Sequence, residues 1–136
     1  LKGSIIFMAD LVREIKLHLV MDFMSVSSYG EGFETTREVK IIKDLEGSIQ
    51  GKHVLIVEDI IDTGLTLEHV IKYFKDSKGV KTLKTCTLLS KPERRKVNID
   101  IDYVGFDVPD KFVIGYGLDY DQKYRNLPYI AVVVFE

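Results

Sequence analysis

Val54-Leu55-Ile56-Val57 is an unbroken aliphatic run, followed at once by Glu58-Asp59 and then by Asp62-Thr63-Gly64. No other segment constrains the fold as strongly. A run without polar alternation fits a strand covered on both faces, the situation of a parallel sheet between helices. Beyond the turn, Leu67, Val70, Ile71 and Phe74 recur at i, i+3, i+4 and i+7, the stripe of an amphipathic helix ending near Gly79. Strand, polar turn and helix in this order predict an α/β fold with a mostly parallel central sheet flanked by helices.

The remaining segments fit that frame. Phe7, Leu11, Val12 and Ile15 stand at helical spacing and predict a helix running to about Leu17. Residues 19–26 read as a strand and residues 39–42 as its return in a hairpin. Between them, residues 27–36 carry two glycines and no apolar period, which predicts a long mobile loop of functional interest. Residues 83–89, 103–105, 113–116 and 130–135 read as further strands. No repeat, low-complexity tract or linker divides the 136 residues, so 1–136 are read as one domain.

Composition narrows the function classes. Nineteen basic against 21 acidic residues leave a net charge of -2, which does not favour a nucleic-acid partner. The single cysteine, Cys86, excludes an internal disulfide framework and suits a cytoplasmic location. No apolar run approaches the ~18 residues of a membrane-spanning helix. The chain opens on Leu1-Lys2-Gly3 instead of a methionine, which suggests a shortened form of something longer.

The chemistry concentrates at the end of the aliphatic run. In open α/β sheets, ligands bind beyond the carboxyl ends of the strands, where Glu58 and Asp59 are expected. Three carboxylates within five residues (Glu58, Asp59, Asp62) repel one another unless sugar hydroxyls or an oxygen-seeking ion such as Mg²⁺ face them. Asp62 to Thr66 then supplies a glycine turn, two hydroxyls and the free N–H groups of a helix start, a cradle for an anion. The alternative is structural: Asp62 or Thr63 caps the helix and the acidic pair is a solvated strand end.

The segment VLIVEDIIDTGLT, residues 54–66, resembles the phosphoribosyl-pyrophosphate (PRPP) motif of the type I phosphoribosyltransferases. Leu1-Lys2-Gly3, Ser28-Tyr29-Gly30, Val104-Gly105-Phe106, Pro109 to Val113, Gly117 to Tyr120 and Tyr124 to Leu127 narrow the likeness to the hypoxanthine-guanine branch in its bacterial form. The resemblance implies the type I phosphoribosyltransferase fold, with a mobile hairpin loop over the site, and purine salvage. In that reaction a purine nitrogen displaces pyrophosphate from C1 of PRPP, giving IMP or GMP.

By the same resemblance, Thr63, Gly64, Leu65 and Thr66 hold the 5′-phosphate, while Glu58 and Asp59 engage the ribose hydroxyls. Asp62 is the general base beside purine N7. Lys91 donates to the 6-oxo group, Phe112 stacks on the base and Val113 reads its edge through the backbone. Asp119 stands near the purine end and, with Glu58 and Asp59, serves Mg²⁺, partly through water. Arg125 and the Lys2-Gly3 loop hold pyrophosphate, the latter through a cis peptide. Ser28 and Tyr29 belong to the closing loop. Implied partners are PRPP and a 6-oxopurine, with assembly into a dimer or tetramer. The family also carries an N-terminal segment ahead of Leu1. A second reading is a regulator on the same fold that senses PRPP or nucleotides and binds nucleic acid. Residues Lys91, Phe112, Asp62 and Arg125 together, on a chain of charge -2, favour the enzyme.

Overall fold

The structure is a computed structural model and describes residues 1–29 and 38–135. Strands β3 (His53–Ile61), β4 (Thr82–Ser90) and β5 (Tyr103–Asp107) form a parallel sheet in that order. Helix α2 (Leu65–Ser77) makes the crossover from β3 to β4. Its predicted stripe faces the sheet: Leu67, Val70 and Phe74 are buried against Ile56 and Ile61 of β3, with Ile71 packed alongside. Each such side chain withdrawn from water stabilises the fold by roughly 1.5–3 kcal/mol, so this β3–α2 interface is the core. The helix ends where Lys78 donates its backbone N–H to Phe74, just before Gly79.

Two smaller pieces complete the described structure. Strands β1 (Ser25–Tyr29) and β2 (Glu38–Lys43) form an antiparallel hairpin, as the pattern predicted. The loop expected over 27–36 falls largely on residues outside the described ones. Strands β6 (Val113–Ile114) and β7 (Ala131–Val132) pair antiparallel. Helix α1 (Ile5–Glu14) lies beside β3, and Tyr116 donates its hydroxyl to Asp10 on this helix.

Four expectations need correction. The stretch 19–24 has no strand partner; Asp22 instead accepts from the backbone N–H groups of Glu46 and Gly47 at 2.9 and 3.1 Å, latching the turn after β2. Helix α1 stops at Glu14, three residues early: Ile15 is already extended, and Leu17 is 78% exposed. The strands expected over 113–116 and 130–135 shrink to two residues each, since Gly115 turns to bridge Leu118 instead of continuing the β6–β7 ladder. Finally, β3 is not covered on both faces. Leu55 is 38% exposed on one face, while Ile56 on the other is buried with Leu67, Val70 and Phe74 of α2.

Candidate active site

The acidic pair lies inside β3, which runs on to Ile61, and not beyond its end. Neighbouring strand residues project to opposite faces, so Glu58 and Asp59 address different surroundings. Desolvation, reinforced by the Asp59 charge, pushes the Glu58 carboxyl up to about 7. Asp59 lies against the first loop of the chain. A Cβ built on Gly3 would stand 1.9 Å from Asp59 Oδ2, and one built on Gly117 would stand 2.3 Å from the Gly3 carbonyl oxygen. Only glycine backbone fits this junction, which brings residues 3, 59 and 117 together.

The anion cradle follows β3. Gly64 takes φ +85° as the N-cap of α2, a conformation that costs other residues energy and leaves the helix's first N–H groups without intrahelical partners. Thr63 Oγ1 accepts from the Leu65 N–H at 3.4 Å, and the Thr63 carbonyl accepts from Lys96 at 2.9 Å. The segment after β4 therefore buttresses the turn. Gly64, not Asp62 or Thr63, is the N-cap of α2, and of the two only Thr63 reaches a helix-start N–H, from the position before the cap.

Near the Gly3 junction, Arg125 donates to the Gly117 carbonyl at 2.8 Å and pairs with Asp119 at 3.1 Å. The structure thus joins Arg125 and Asp119 to Gly3, while Lys2 is exposed. The Lys2–Gly3 peptide is trans, correcting the cis bond that the resemblance implied; trans is favoured by ~3–4 kcal/mol outside proline.

A second cluster sits at the far end of the acidic turn. Asp62 accepts from Nε of Arg94, whose Nη1 reaches Asp110 at 3.5 Å. The other Asp110 oxygen stands 3.7 Å from Lys91 Nζ. Lys91 is buried, and its backbone N–H donates to Ile61 at 2.9 Å, fixing it across from the end of β3. Two residues past Asp110, Phe112 meets Tyr120 edge-on with centroids 5.5 Å apart. An open concavity of about 370 Å³ lies here, lined by Lys111, Phe112, residues 132–134 and Phe135. Phe112 is 44% exposed, which leaves ring surface available for stacking. Val113 is held in β6 opposite Val132.

Sequence reasoning missed Arg94, Asp110 and Gly117. Arg94 sits in Lys91-Pro92-Glu93-Arg94-Arg95-Lys96, a charged stretch with no local pattern that singles it out. Asp110 lay inside a quoted motif without a role. Ser28 and Tyr29 close β1, while residues 30–36 of the proposed closing loop lie outside the described ones. Among the described residues no three His, Cys, Asp or Glu side chains converge on one point. Of the three expected Mg²⁺ carboxylates, Asp59 and Asp119 both stand at the Gly3–Gly117–Arg125 junction, a donor set that suits an ion held by one or two carboxylates with water and substrate oxygens as its other ligands, whereas Glu58 projects to the other face of β3. No described helix is long and apolar enough to cross a membrane.

Residues 1–121 match the family described as phosphoribosyl transferase domain. The chain is 56% identical over 133 residues to hypoxanthine-guanine phosphoribosyltransferase of Bacillus subtilis, covering 98% of this chain and 73% of that protein. It is 55% identical over 134 residues to hypoxanthine phosphoribosyltransferase of Escherichia coli, covering 98% and 75%. The crystal structure of a hypoxanthine phosphoribosyltransferase from Staphylococcus aureus superimposes with a TM-score of 0.93 at 54% identity, over 98% of this chain and 72% of that one.

Proposed function

The chain belongs to the phosphoribosyl transferase family, and we propose that it transfers the 5-phosphoribosyl group of PRPP to hypoxanthine or guanine, releasing pyrophosphate. The observation that carries the proposal is the two-ended site along the last part of β3 and the turn after it. Asp59 meets the Gly3–Gly117–Arg125 junction at one end, and Asp62 joins Lys91 through Arg94 and Asp110 at the other. A diphosphate and a purine flanking one ribose need this separation of roles.

At the anionic end, the N–H groups from Gly64 to Thr66 and the Thr63 and Thr66 hydroxyls receive the 5′-phosphate. Gly3 backbone, Lys2 and Arg125 receive the pyrophosphate, where the planar fork of Arg125 suits phosphate oxygens. Glu58 and Asp59 orient the ribose hydroxyls. Mg²⁺ held by Asp59 and Asp119, partly through water, would supply positive charge to the departing pyrophosphate.

At the purine end, Phe112 stacks on the base and Val113 presents backbone to its edge. Lys91 donates to the 6-oxo oxygen; an amino group there, as in adenine, would meet a donor instead of an acceptor. As the purine nitrogen bonds to C1, the C1–O bond to pyrophosphate breaks. Asp62 takes the proton from the other imidazole nitrogen. Ser28 and Tyr29 lead into the segment proposed to cover the site and exclude water. Action as one domain, assembly into a dimer or tetramer and a cytoplasmic location belong to the same proposal.

The test is to incubate the chain with PRPP, Mg²⁺ and each of hypoxanthine, guanine, xanthine and adenine, and to look for nucleotide. Product from hypoxanthine or guanine but not adenine supports the reading. No product from any base contradicts it, and nucleic-acid binding by the same preparation would favour the regulator.

A further inference from the structure

Arg94 links the two side chains assigned to the purine. It stands on a single 3₁₀ turn, Pro92–Arg94, between the end of β3 and the loop after β5. Its Nε donates to Oδ1 of Asp62 and its Nη1 to Oδ2 of Asp110. Asp110 Oδ1 in turn faces Lys91 Nζ, so charges alternate along Asp62, Arg94, Asp110 and Lys91. Asp62, Arg94 and Asp110 are each 42–45% exposed, a setting in which ion pairs add little to folding. Orientation is the property that a fork spanning two carboxylates from separate segments does supply.

We propose that Arg94 is a positioning residue for purine transfer. It fixes Asp62 through Oδ1 and leaves Oδ2 to take the imidazole proton, while Asp110 carries the same constraint to Lys91. The guanidinium exchanges no proton and keeps its charge throughout. The inference rests on the phosphoribosyl-transfer reading above. An effect of this kind is one of aim, in which small misplacements of a reacting group cost large factors in rate.

Arg94→Ala and Arg94→Lys, each with and without Asp62→Asn, provide the test, read as kcat and KM for hypoxanthine and for PRPP beside the thermal midpoint. Arg94→Ala should lower kcat/KM for hypoxanthine by about ten-fold or more, with PRPP KM and the midpoint little changed. Arg94→Lys should recover part of the loss, because an ammonium reaches one carboxylate without bridging two. In the Asp62→Asn background the Arg94→Ala loss should shrink to the smaller part that runs through Asp110 and Lys91, since the route through Asp62 is already gone. If Arg94→Ala loses structure, Arg94→Lys and its cycle with Asp62→Asn carry the comparison. Unchanged hypoxanthine kcat/KM in an active wild-type background overturns the proposal, as do losses that simply multiply in the double variant. A wild-type chain that converts no purine overturns the underlying reading instead.

Discussion

Gly3 and Asp59 touch so closely that a single added methyl at residue 3 would overlap the carboxylate, 1.9 Å from Oδ2. The first loop of the chain and the acid in the middle of β3 therefore form one surface. Beyond it, Gly117 backs onto the Gly3 carbonyl with equally little room.

Gly3→Ala should consequently disturb PRPP more than purine. The carboxylate has to move aside, and the backbone N–H groups of the loop shift with it. We expect the KM for PRPP to rise by about ten-fold, with the KM for hypoxanthine nearly unchanged, in steady-state assays that vary each substrate separately. A rise confined to hypoxanthine would place the loop at the purine end.

Lys91→Ala should do the reverse. Lys91 is 8% exposed, and its ammonium stands near Asp110 alone among the described carboxylates, so removing it takes away a buried donor beside Asp110. Purine kcat/KM should fall by roughly 10–100-fold while PRPP affinity holds. An unchanged KM for hypoxanthine would return Lys91 to a structural role.

Asp44 offers a stability test away from the site. It accepts from Lys78 Nζ at 2.7 Å and from the Tyr73 hydroxyl at 2.6 Å, tying the segment after β2 to the end of α2. The Lys78 bond first, then that of Tyr73, holds its carboxyl down at about 2. A depressed carboxylate stabilises the fold fully above its unfolded value near 4, and that contribution fades as pH falls toward 2. Because the pair is 25% and 37% exposed, solvent screening keeps the contribution small, about 1 kcal/mol. Denaturant midpoints of wild type and Asp44→Asn should differ at pH 7 and converge near pH 2. A constant gap would locate the effect in packing.

The legible and the hidden parts of this chain divide by range of interaction. The β3–turn–α2 unit was readable because its strand run, glycine turn and helical stripe are local patterns, each obeying its own period. The limits of β6 and β7 were not, because pairing partners and not residue type decide where a short strand stops. Leu55 reads as buried in any aliphatic run; its exposure depends on what packs over its face of the sheet, which the run itself does not show. Arg94 was hidden for the same reason. Its partners lie 32 and 16 residues away, and only folding turns a charged loop residue into the link between Asp62 and Asp110.

The central claim is that Asp62 acts on the purine and not on the phosphate cradle beside it. Asp62→Asn, assayed for kcat with hypoxanthine and for PRPP affinity, separates these directly. Turnover should drop by about 10²–10⁴-fold with PRPP binding little altered, the signature of a lost proton acceptor. Equal losses in turnover and PRPP binding, or turnover that survives intact, would contradict it.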